Sequence, residues 1–180
     1  MLDGLIYIED FLTEAEEKFI VEDLDRHKWS NELRRRVQHY GYKYDYTKKS
    51  ISHSMKVDDL LLWMIDIGKR IEKQFVILPP DQVIVNEYIP GQGISRHIDC
   101  IPCFKDTIIS ISLLSPCIME FQKLDSIKHL TLKPRSVLVL QGESRYRWTH
   151  SIPTHFNKQQ NIQSRRISIT YRNVILNTPP

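Results

Sequence analysis

The second half of the chain is a series of short β-strand patterns, and this feature limits the possible folds most. From Val83 onward, runs rich in Ile, Val, Thr and Tyr are separated by turn residues, and no helix-length segment falls between them. The predicted strands are VIVNEYI, TIISISLL, CIMEFQ, IKHLTL, SVLVLQ and RRISITYRNV. Such a series favours an antiparallel sandwich or barrel.

Two predicted helices precede these strands. Thr13 stands three residues before Glu16, which is the spacing of a capping box, and the apolar pattern then predicts a helix over Glu14–His27. In VDDLLLWMIDIGKRIEKQF, apolar residues recur at helical spacing until Pro79-Pro80 ends the pattern. That apolar stripe comprises Leu60, Met64, Ile67 and Ile71. The sequence therefore predicts an α+β fold, a jelly roll braced by two N-terminal helices.

The composition fits a single domain spanning residues 1–180. Of the 180 residues, 41% are hydrophobic, which is enough for a sizeable core. The formal charge of +3 permits a polyanionic partner without requiring one. No segment approaches the about 20 apolar residues of a membrane span, and no signal-peptide pattern opens the chain. We expect a monomeric intracellular protein, cytoplasmic or nuclear, with no membrane partner.

The chain has three cysteines, Cys100, Cys103 and Cys117. An odd number in a chain of this size indicates a reducing compartment. Cys100 and Cys103 have the spacing of half a zinc site, but no second pair completes four ligands. We therefore expect ordinary buried or inert thiols rather than a zinc site.

The pair His97-Ile98-Asp99 follows a glycine-containing turn and is the first candidate for chemistry. Alternate residues of a strand share a face, so the side chains of His97 and Asp99 should project together. An oxygen-activating iron(II) site needs two histidines and one carboxylate, with open positions opposite them. His150, in GESRYRWTHSI, is the best candidate for the second histidine. Alone, a His-x-Asp pair is more often a surface pair than a set of metal ligands.

Two further strands carry polar side chains on one face. In RISITYR, Arg166 and Arg172 lie an even number of residues apart and so share a face. The other side chains of that face are Ser168 and Thr170. If the face is buried, the arginines need a carboxylate, which a diacid cosubstrate would supply. In VNEYI, Asn86 and Tyr88 share a face and could bind a carboxylate too. For RISITYR, the alternative is an exposed strand with two solvated arginines. For VNEYI, it is an edge strand with one solvent-exposed side.

Together, these motifs resemble those of the AlkB-type iron and 2-oxoglutarate dioxygenases. The matching elements, in order, are Asn86-x-Tyr88, PGQGI before His97-x-Asp99, GESRY before His150, and Arg166-x-Ser-x-Thr-x-Arg172. The opening GLIYIEDFLTEAEE is similar as well, so the resemblance covers nearly the whole chain. The branch that contains the eukaryotic tRNA wobble-uridine hydroxylase domain shares the PGQGI…HID and GESRY…W.H forms.

The resemblance implies a double-stranded β-helix that carries Fe(II). It implies that the metal-binding and catalytic residues are His97, Asp99 and His150. It assigns 2-oxoglutarate binding to Asn86, Tyr88, Arg166, Ser168 and Arg172. In the family, O2 and 2-oxoglutarate are consumed while a substrate C–H bond is hydroxylated. A hydroxylated N-methyl group then breaks down to free amine and formaldehyde, whereas a hydroxylated side-chain carbon remains an alcohol.

The segment RRRVQHYGYKYDY, between the two helices, combines cationic and aromatic residues. As an extended chain, it would place alternate residues on one face. These are Arg36, Gln38, Tyr40, Tyr42, Tyr44 and Tyr46. Arginines contact phosphates, tyrosines stack on unpaired bases, and a base must leave its stack to be oxidised. The segment also resembles the substrate lid of relatives. We therefore expect Arg36, Tyr42, Tyr44 and Tyr46 to bind substrate; the alternative is a hairpin whose tyrosines pack on the helices.

The expected function is hydroxylation or oxidative demethylation of a modified or alkylated base in nucleic acid that is single-stranded or has the base flipped out. RNA (tRNA) is expected to be preferred over DNA. Ile101 stands where bacterial DNA-repair members of the family carry another acidic residue, which weakens an assignment to their kind of repair. The chain carries no RNA-recognition or methyltransferase domain, so a wobble-uridine role would require partner proteins or an unusually self-sufficient domain. The alternative is the same chemistry on a protein side chain or lipid. A non-catalytic binding module would require a lost ligand, and none is lost.

Overall fold

The computed structural model describes residues 2–45, 47–48, 50–75 and 77–176, in which two larger antiparallel sheets and a short hairpin are formed. The strands are β1 (Leu5–Ile8), β2 (Val37–Tyr40), β3 (Gln82–Tyr88), β4 (Ile94–His97), β5 (Ile108–Leu113), β6 (Cys117–Lys123), β7 (Ser126–Leu132), β8 (Val137–Leu140), β9 (Thr149–Ile152), β10 (His155–Phe156), β11 (Gln159–Gln160) and β12 (Arg166–Arg172). The helices are α1 (Glu14–Arg26), α2 (Leu62–Phe75) and the short α3 (Gly142–Tyr146), with a 3-10 turn at His53–Met55.

Helix α1 begins with the capping box that its sequence predicts. The Thr13 hydroxyl accepts from the backbone N–H of Glu16 at 3.2 Å, and the Thr13 N–H donates to the Glu16 carboxylate at 2.8 Å. Helix α2 buries the predicted stripe residues Met64, Ile67 and Ile71. The third helix, α3, is not predicted by the sequence, because five residues are too short to display helical periodicity.

The larger sheet has the strand order β1-β8-β5-β12-β3-β2 and separates two hydrophobic cores. On β12, Ile167, Ile169 and Tyr171 point into the core that contains Leu24 of α1 and Ile71 of α2. Each fully buried aliphatic side chain of this kind contributes about 1.5–3 kcal/mol to stability. The alternate face of β12 carries the polar row that begins at Arg166, so the strand is buried on both sides.

The smaller sheet, in the order β4-β9-β6-β7, covers that second face. Met119 and Phe121 of β6 share a core with Tyr88, Leu138 and Leu140 of the larger sheet. The predicted mixed fold of helices and antiparallel strands is confirmed, whereas the prediction of two helices is incomplete because α3 is present. No helix within the described residues combines the length and apolar character needed to cross a membrane.

Cys100 and Cys103 form a disulfide, which differs from the expectation of separate thiols. The backbone N–H groups of Cys103 and Phe104 both donate to the Cys100 carbonyl, at 3.3 and 3.2 Å. This tight turn brings the two Cα atoms to 5.2 Å, within the range that a disulfide spans. Cys117 is a buried free thiol, as expected. The odd number of cysteines therefore did not argue against a disulfide, and the inference of a reducing compartment loses its basis.

Candidate metal and cosubstrate site

His97 and His150 are direct cross-strand partners on β4 and β9. Their rings lie with centroids 4.4 Å apart, because opposed residues of an antiparallel pair project to the same face. Gly93 permits this approach of β4 to β9: a Cβ at that position would lie 2.2 Å from the carbonyl oxygen of Ile152. The second glycine of the PGQGI turn therefore helps to bring the two histidines together.

The hydrogen bonding of His97 leaves Nε2 as the ring nitrogen that can serve as a ligand. Nδ1 lies 2.7 Å from the backbone carbonyl of Ser95, so it carries the proton and donates. Nε2, the other ring nitrogen, lies 3.7 Å from Oδ1 of Asp99. Metal-ligating histidines are commonly oriented by such a second hydrogen bond.

Asp99 lies in the loop after β4, because the strand ends at His97. The prediction of one continuous strand is therefore wrong for Asp99, although its carboxylate still meets the two imidazoles. The buried Arg145 side chain holds this loop by donating to the carbonyls of Asp99 at 2.8 Å and Cys100 at 3.3 Å. The ligand-type atoms of His97, Asp99 and His150 all lie within 4.8 Å of one another.

The electrostatics of the cluster favour a charged Asp99 carboxylate beside a neutral His150 imidazole. Burial alone would raise the pKa of Asp99, but the Arg172 guanidinium and both histidines hold it well below its usual range. Burial lowers the pKa of His150 to about 4, against the opposing effect of Asp99. At neutral pH, His150 therefore keeps a lone pair that can bind a metal ion.

The cluster lies at a cavity of about 960 Å³ between the two sheets. The size is that of sites for small organic ligands. Among the residues predicted to form a site, those that line the cavity are Tyr44, Asn86, Tyr88, His97, Asp99, His150, Ser168 and Arg172. The cross-strand register explains part of this convergence, because Ser168 and Asn86 are paired on β12 and β3, as are Arg166 and Tyr88.

Arg166 is fully buried and only partly satisfied. Its Nη2 donates to the Ser112 hydroxyl at 2.8 Å, while Nε and Nη1 have no hydrogen-bond partner within the described chain. Its guanidinium lies 5.4 Å from the centroid of the Tyr88 ring. A buried guanidinium without a counter-ion is costly, and Arg172 likewise has an unpartnered Nε among the described residues. Two such groups beside one cavity fit a bound dicarboxylate.

Several cavity residues escaped the sequence prediction. They are Arg35, Ser110 and Thr170, of which Thr170 was noted only as a face neighbour. The Ser110 hydroxyl lies 2.9 Å from that of Ser168 and extends the polar row onto β5. The alternation in TIISISLL could have identified Ser110, because its serines are two residues apart within an apolar strand. Arg35 had no such signal, since it lies in a run of three arginines.

The predicted substrate residues are not brought together. Arg36 forms a two-pronged ion pair with Glu87, at 2.5 and 2.7 Å, on the opposite face of β3 from Asn86. Tyr42 forms a backbone bridge with Lys56 and packs beside the second core. Tyr44 alone of the described members lines the cavity, with its ring 5.7 Å from Phe104. Tyr46 lies outside the described residues.

The donor set fits the group that the motifs imply. Two imidazoles and one carboxylate with an open cavity beside them are the ligands of non-haem Fe(II) oxygenases. The unpartnered guanidinium atoms of Arg166 and Arg172 suit a 2-oxoglutarate carboxylate. The three metal-ligand candidates therefore line the same cavity as Asn86, Tyr88, Ser168 and Arg172, while Arg166 lies beside Tyr88 of its wall.

Comparisons with known proteins agree with this chemistry. The family model of the 2OG-Fe(II) oxygenase superfamily matches residues 4–172. An Arabidopsis thaliana protein named alkylated DNA repair protein ALKBH8 homolog is 37% identical, covering 96% of this chain and 59% of its own. Uncharacterized protein L905 of Acanthamoeba polyphaga mimivirus is 35% identical over 97% of this chain and 86% of its own.

A Macaca fascicularis protein named tRNA (carboxymethyluridine(34)-5-O)-methyltransferase ALKBH8 is 36% identical, covering 83% of this chain but 24% of its own. The chain thus spans less than two thirds of this relative and of the Arabidopsis protein. The solved structure of OsALKBH1 superposes with a TM-score of 0.77 at 16% identity, covering 96% of this chain and 98% of that one, which shows a shared fold. By its family match and its relatives above 30% identity, the chain belongs to the 2OG-Fe(II) oxygenase superfamily and, within it, to the AlkB family.

Proposed function

We propose that this oxygenase hydroxylates or oxidatively demethylates a modified base in nucleic acid, with RNA (tRNA) preferred over DNA. The observation that carries the proposal is the meeting of His97, Asp99 and His150 at a cavity that Arg172 also lines. Residues 1–180 act as one domain, a double-stranded β-helix in which α1 and α2 brace the larger sheet.

The three cluster residues would hold Fe(II), and all three line the cavity. When bound, the iron and O2 supply the oxidation of 2-oxoglutarate and of a substrate C–H bond. The chain itself supplies placement. The Ser95 carbonyl fixes the His97 ring, and Arg145 fixes the loop that carries Asp99. Burial keeps His150 neutral.

The polar residues of β3 and β12 bind 2-oxoglutarate. They are Asn86, Tyr88, Arg166, Ser168 and Arg172. Arg166 is the principal partner of the carboxylate farthest from the metal, since it is fully buried and has two N–H positions without a partner in the described chain. Arg172 lies 3.3 Å from Asp99 and so belongs at the metal end of the cosubstrate.

Nucleic acid is the substrate class that the relatives support. Their names refer to alkylated DNA repair, to a tRNA methyltransferase and, for a Caenorhabditis elegans protein 28% identical to this chain, to DNA N6-methyl adenine demethylation. Tyr44, at the cavity, can stack on a base that has left its helix. Arg36 contributes indirectly, because its ion pair with Glu87 fixes the segment before β2. A single-stranded or flipped base in an intracellular RNA is therefore the proposed target of a monomeric enzyme.

The test is to load the protein anaerobically with Fe(II) and 2-oxoglutarate, admit O2 and measure succinate with and without methylated single-stranded RNA or DNA. The account predicts succinate that rises with RNA more than with DNA, together with formaldehyde or a hydroxylated base. An Asp99→Ala variant is the matched control for metal oxidation in solution. Succinate indifferent to every oligonucleotide would reject the substrate class and direct the search to proteins or lipids. No succinate at all would reject the activity.

A further inference from the structure

The three consecutive arginines at positions 34–36 have different surroundings. The β2–β3 ladder pairs Val37 with Asn86, and the Glu87 N–H donates to the Arg36 carbonyl at 2.9 Å. In the segment that leads into β2, Arg36 meets Glu87 outside the cavity, while Arg35 lines the cavity. The register of β2 against β3 therefore delivers one arginine to the cosubstrate wall.

Arg35 makes a specific contact with Asn86. Its Nε donates to Oδ1 of Asn86 at 2.7 Å. A guanidinium has N–H donors and no acceptor, so only the oxygen of the Asn86 amide can face it. The amide nitrogen is thereby turned away from Arg35. An asparagine held in this way presents an N–H donor, rather than a carbonyl oxygen, to a ligand carboxylate.

Arg35 also adds positive charge at the same wall. Its guanidinium carbon lies 5.8 Å from the centroid of the Tyr88 ring, and that of Arg166 lies 5.4 Å from the same centroid. Arg35 and Arg172 both line the cavity. A dianion bound beside Tyr88 would therefore lie within the field of three guanidinium groups.

The backbone that carries Arg35 is fixed from two sides. The Arg34 carbonyl accepts from the Gln92 side chain at 3.0 Å, and Gln92 in turn accepts from the Ile89 N–H at 3.1 Å. The segment before β2 is thus tied to the PGQGI turn that leads into β4. This link and the Arg36–Glu87 ion pair together hold the Arg35 side chain in contact with Asn86.

We propose that Arg35 is a positioning residue of the 2-oxoglutarate site, which acts by holding the Asn86 amide with its nitrogen directed to the cosubstrate. The inference rests on the proposed cosubstrate role of Asn86. Arg35 belongs to the segment before β2, outside the motifs of β3 and β12, so it links cosubstrate binding to the segment that was predicted to contact substrate.

The test measures 2-oxoglutarate affinity by calorimetry on Mn(II)-loaded protein, which needs no turnover. Arg35→Ala should weaken binding about tenfold, the effect of losing one hydrogen bond to a charged group. Arg35→Lys, also a donor without an acceptor, should stay within about threefold of wild type. Arg34→Ala is the matched control for the loss of one positive charge, because Arg34 lines the same cavity but has no side-chain contact with Asn86 among the described residues; it should weaken binding by less than about twofold. Thermal unfolding verifies that each variant is folded.

A double-mutant cycle separates positioning from simple charge attraction. If Arg35 acts through Asn86, Arg35→Ala should cost less than about twofold when Asn86→Ala is already present. A tenfold loss in both backgrounds, or no loss in either, would overturn the proposal. Wild-type protein that binds no 2-oxoglutarate would overturn the proposed cosubstrate site as well, so the two failures are distinguishable.

Discussion

Nη2 of Arg172 lies 3.3 Å from Oδ1 of Asp99, and both side chains are largely buried. The guanidinium keeps the pKa of Asp99 far below its usual range despite the burial. The same guanidinium has an Nε without a partner in the described chain, on a side chain that lines the cavity. Arg172 therefore couples the proposed metal ligand to the proposed cosubstrate.

Replacing Arg172 by Met should weaken the binding of both 2-oxoglutarate and the metal ion. We expect the 2-oxoglutarate concentration needed for half-maximal turnover to rise by about 10–100-fold, which is the range for losing a residue that supports a metal ligand. The affinity for the metal should fall as well. The requirement for nucleic acid should change little. Separate titrations of the two substrates test this, with Arg135→Ala as a control that removes an arginine paired with Glu17 far from the cavity. Equal effects on both substrates would count against the assignment.

Arg166→Met should separate stability from function. The ligand-free protein bears the cost of a buried guanidinium with unpartnered N–H groups. Without that charge, the free energy of unfolding should stay level or rise by up to about 2 kcal/mol. Added 2-oxoglutarate should stabilise the metal-loaded wild type and fail to stabilise the variant. Denaturant unfolding with and without 2-oxoglutarate measures both effects, and a destabilised variant that still responds to 2-oxoglutarate would contradict the assignment.

His97→Ala should lower turnover by at least about a hundredfold while the fold persists. The side chain is one of three converging ligand groups and is partly exposed, so its loss removes a ligand without opening a core cavity. Succinate release and circular dichroism measure the two properties. His155→Ala is the control, because His155 lies on the β10–β11 hairpin. Wild-type turnover by a folded His97→Ala protein would refute the role.

Glu87→Gln should destabilise the protein by about 2 kcal/mol. Glu87 is nearly buried and pairs with both Arg36 and Arg165, each of which would lose a charged partner. Although burial raises the pKa of Glu87, its arginine hydrogen bonds lower it overall. The stabilisation is therefore complete above the ordinary carboxyl pKa and is lost as pH falls through the lowered one. Urea unfolding at neutral and acidic pH should show a difference between wild type and variant that shrinks in acid, and a pH-independent difference would exclude the charged pair as its cause.

The parts of the fold predicted from sequence are those with strong local periodicity. Packing reinforced the helical periodicity of α1 and α2 and the runs of β-forming residues that predicted β3, β5, β6, β7, β8 and β12. Strand β1 was missed, because its four residues were read only as part of a motif. The disulfide was missed because it depends on the turn geometry after Asp99, which the residue count does not reveal.

The candidate site was predictable where side-chain alternation governs it. The row from Arg166 to Arg172 lies on one face, as the spacing requires. In the segment before β2, Arg36 faces Glu87 while Arg35 lines the cavity, although Tyr44 of the predicted face lines it too. Periodicity identifies alternate faces but does not say which one meets a ligand, and that choice follows from the pairing of β2 with β3.

The most direct measurement is a calorimetric titration of metal-free protein with Mn(II) in the presence of 2-oxoglutarate, for wild type and Asp99→Ala. The account predicts one bound ion per wild-type chain and a loss of at least about a hundredfold in affinity in the folded variant, since one of three ligands is gone. Equal stoichiometry and affinity in the two proteins would contradict the proposal that His97, Asp99 and His150 form the metal site.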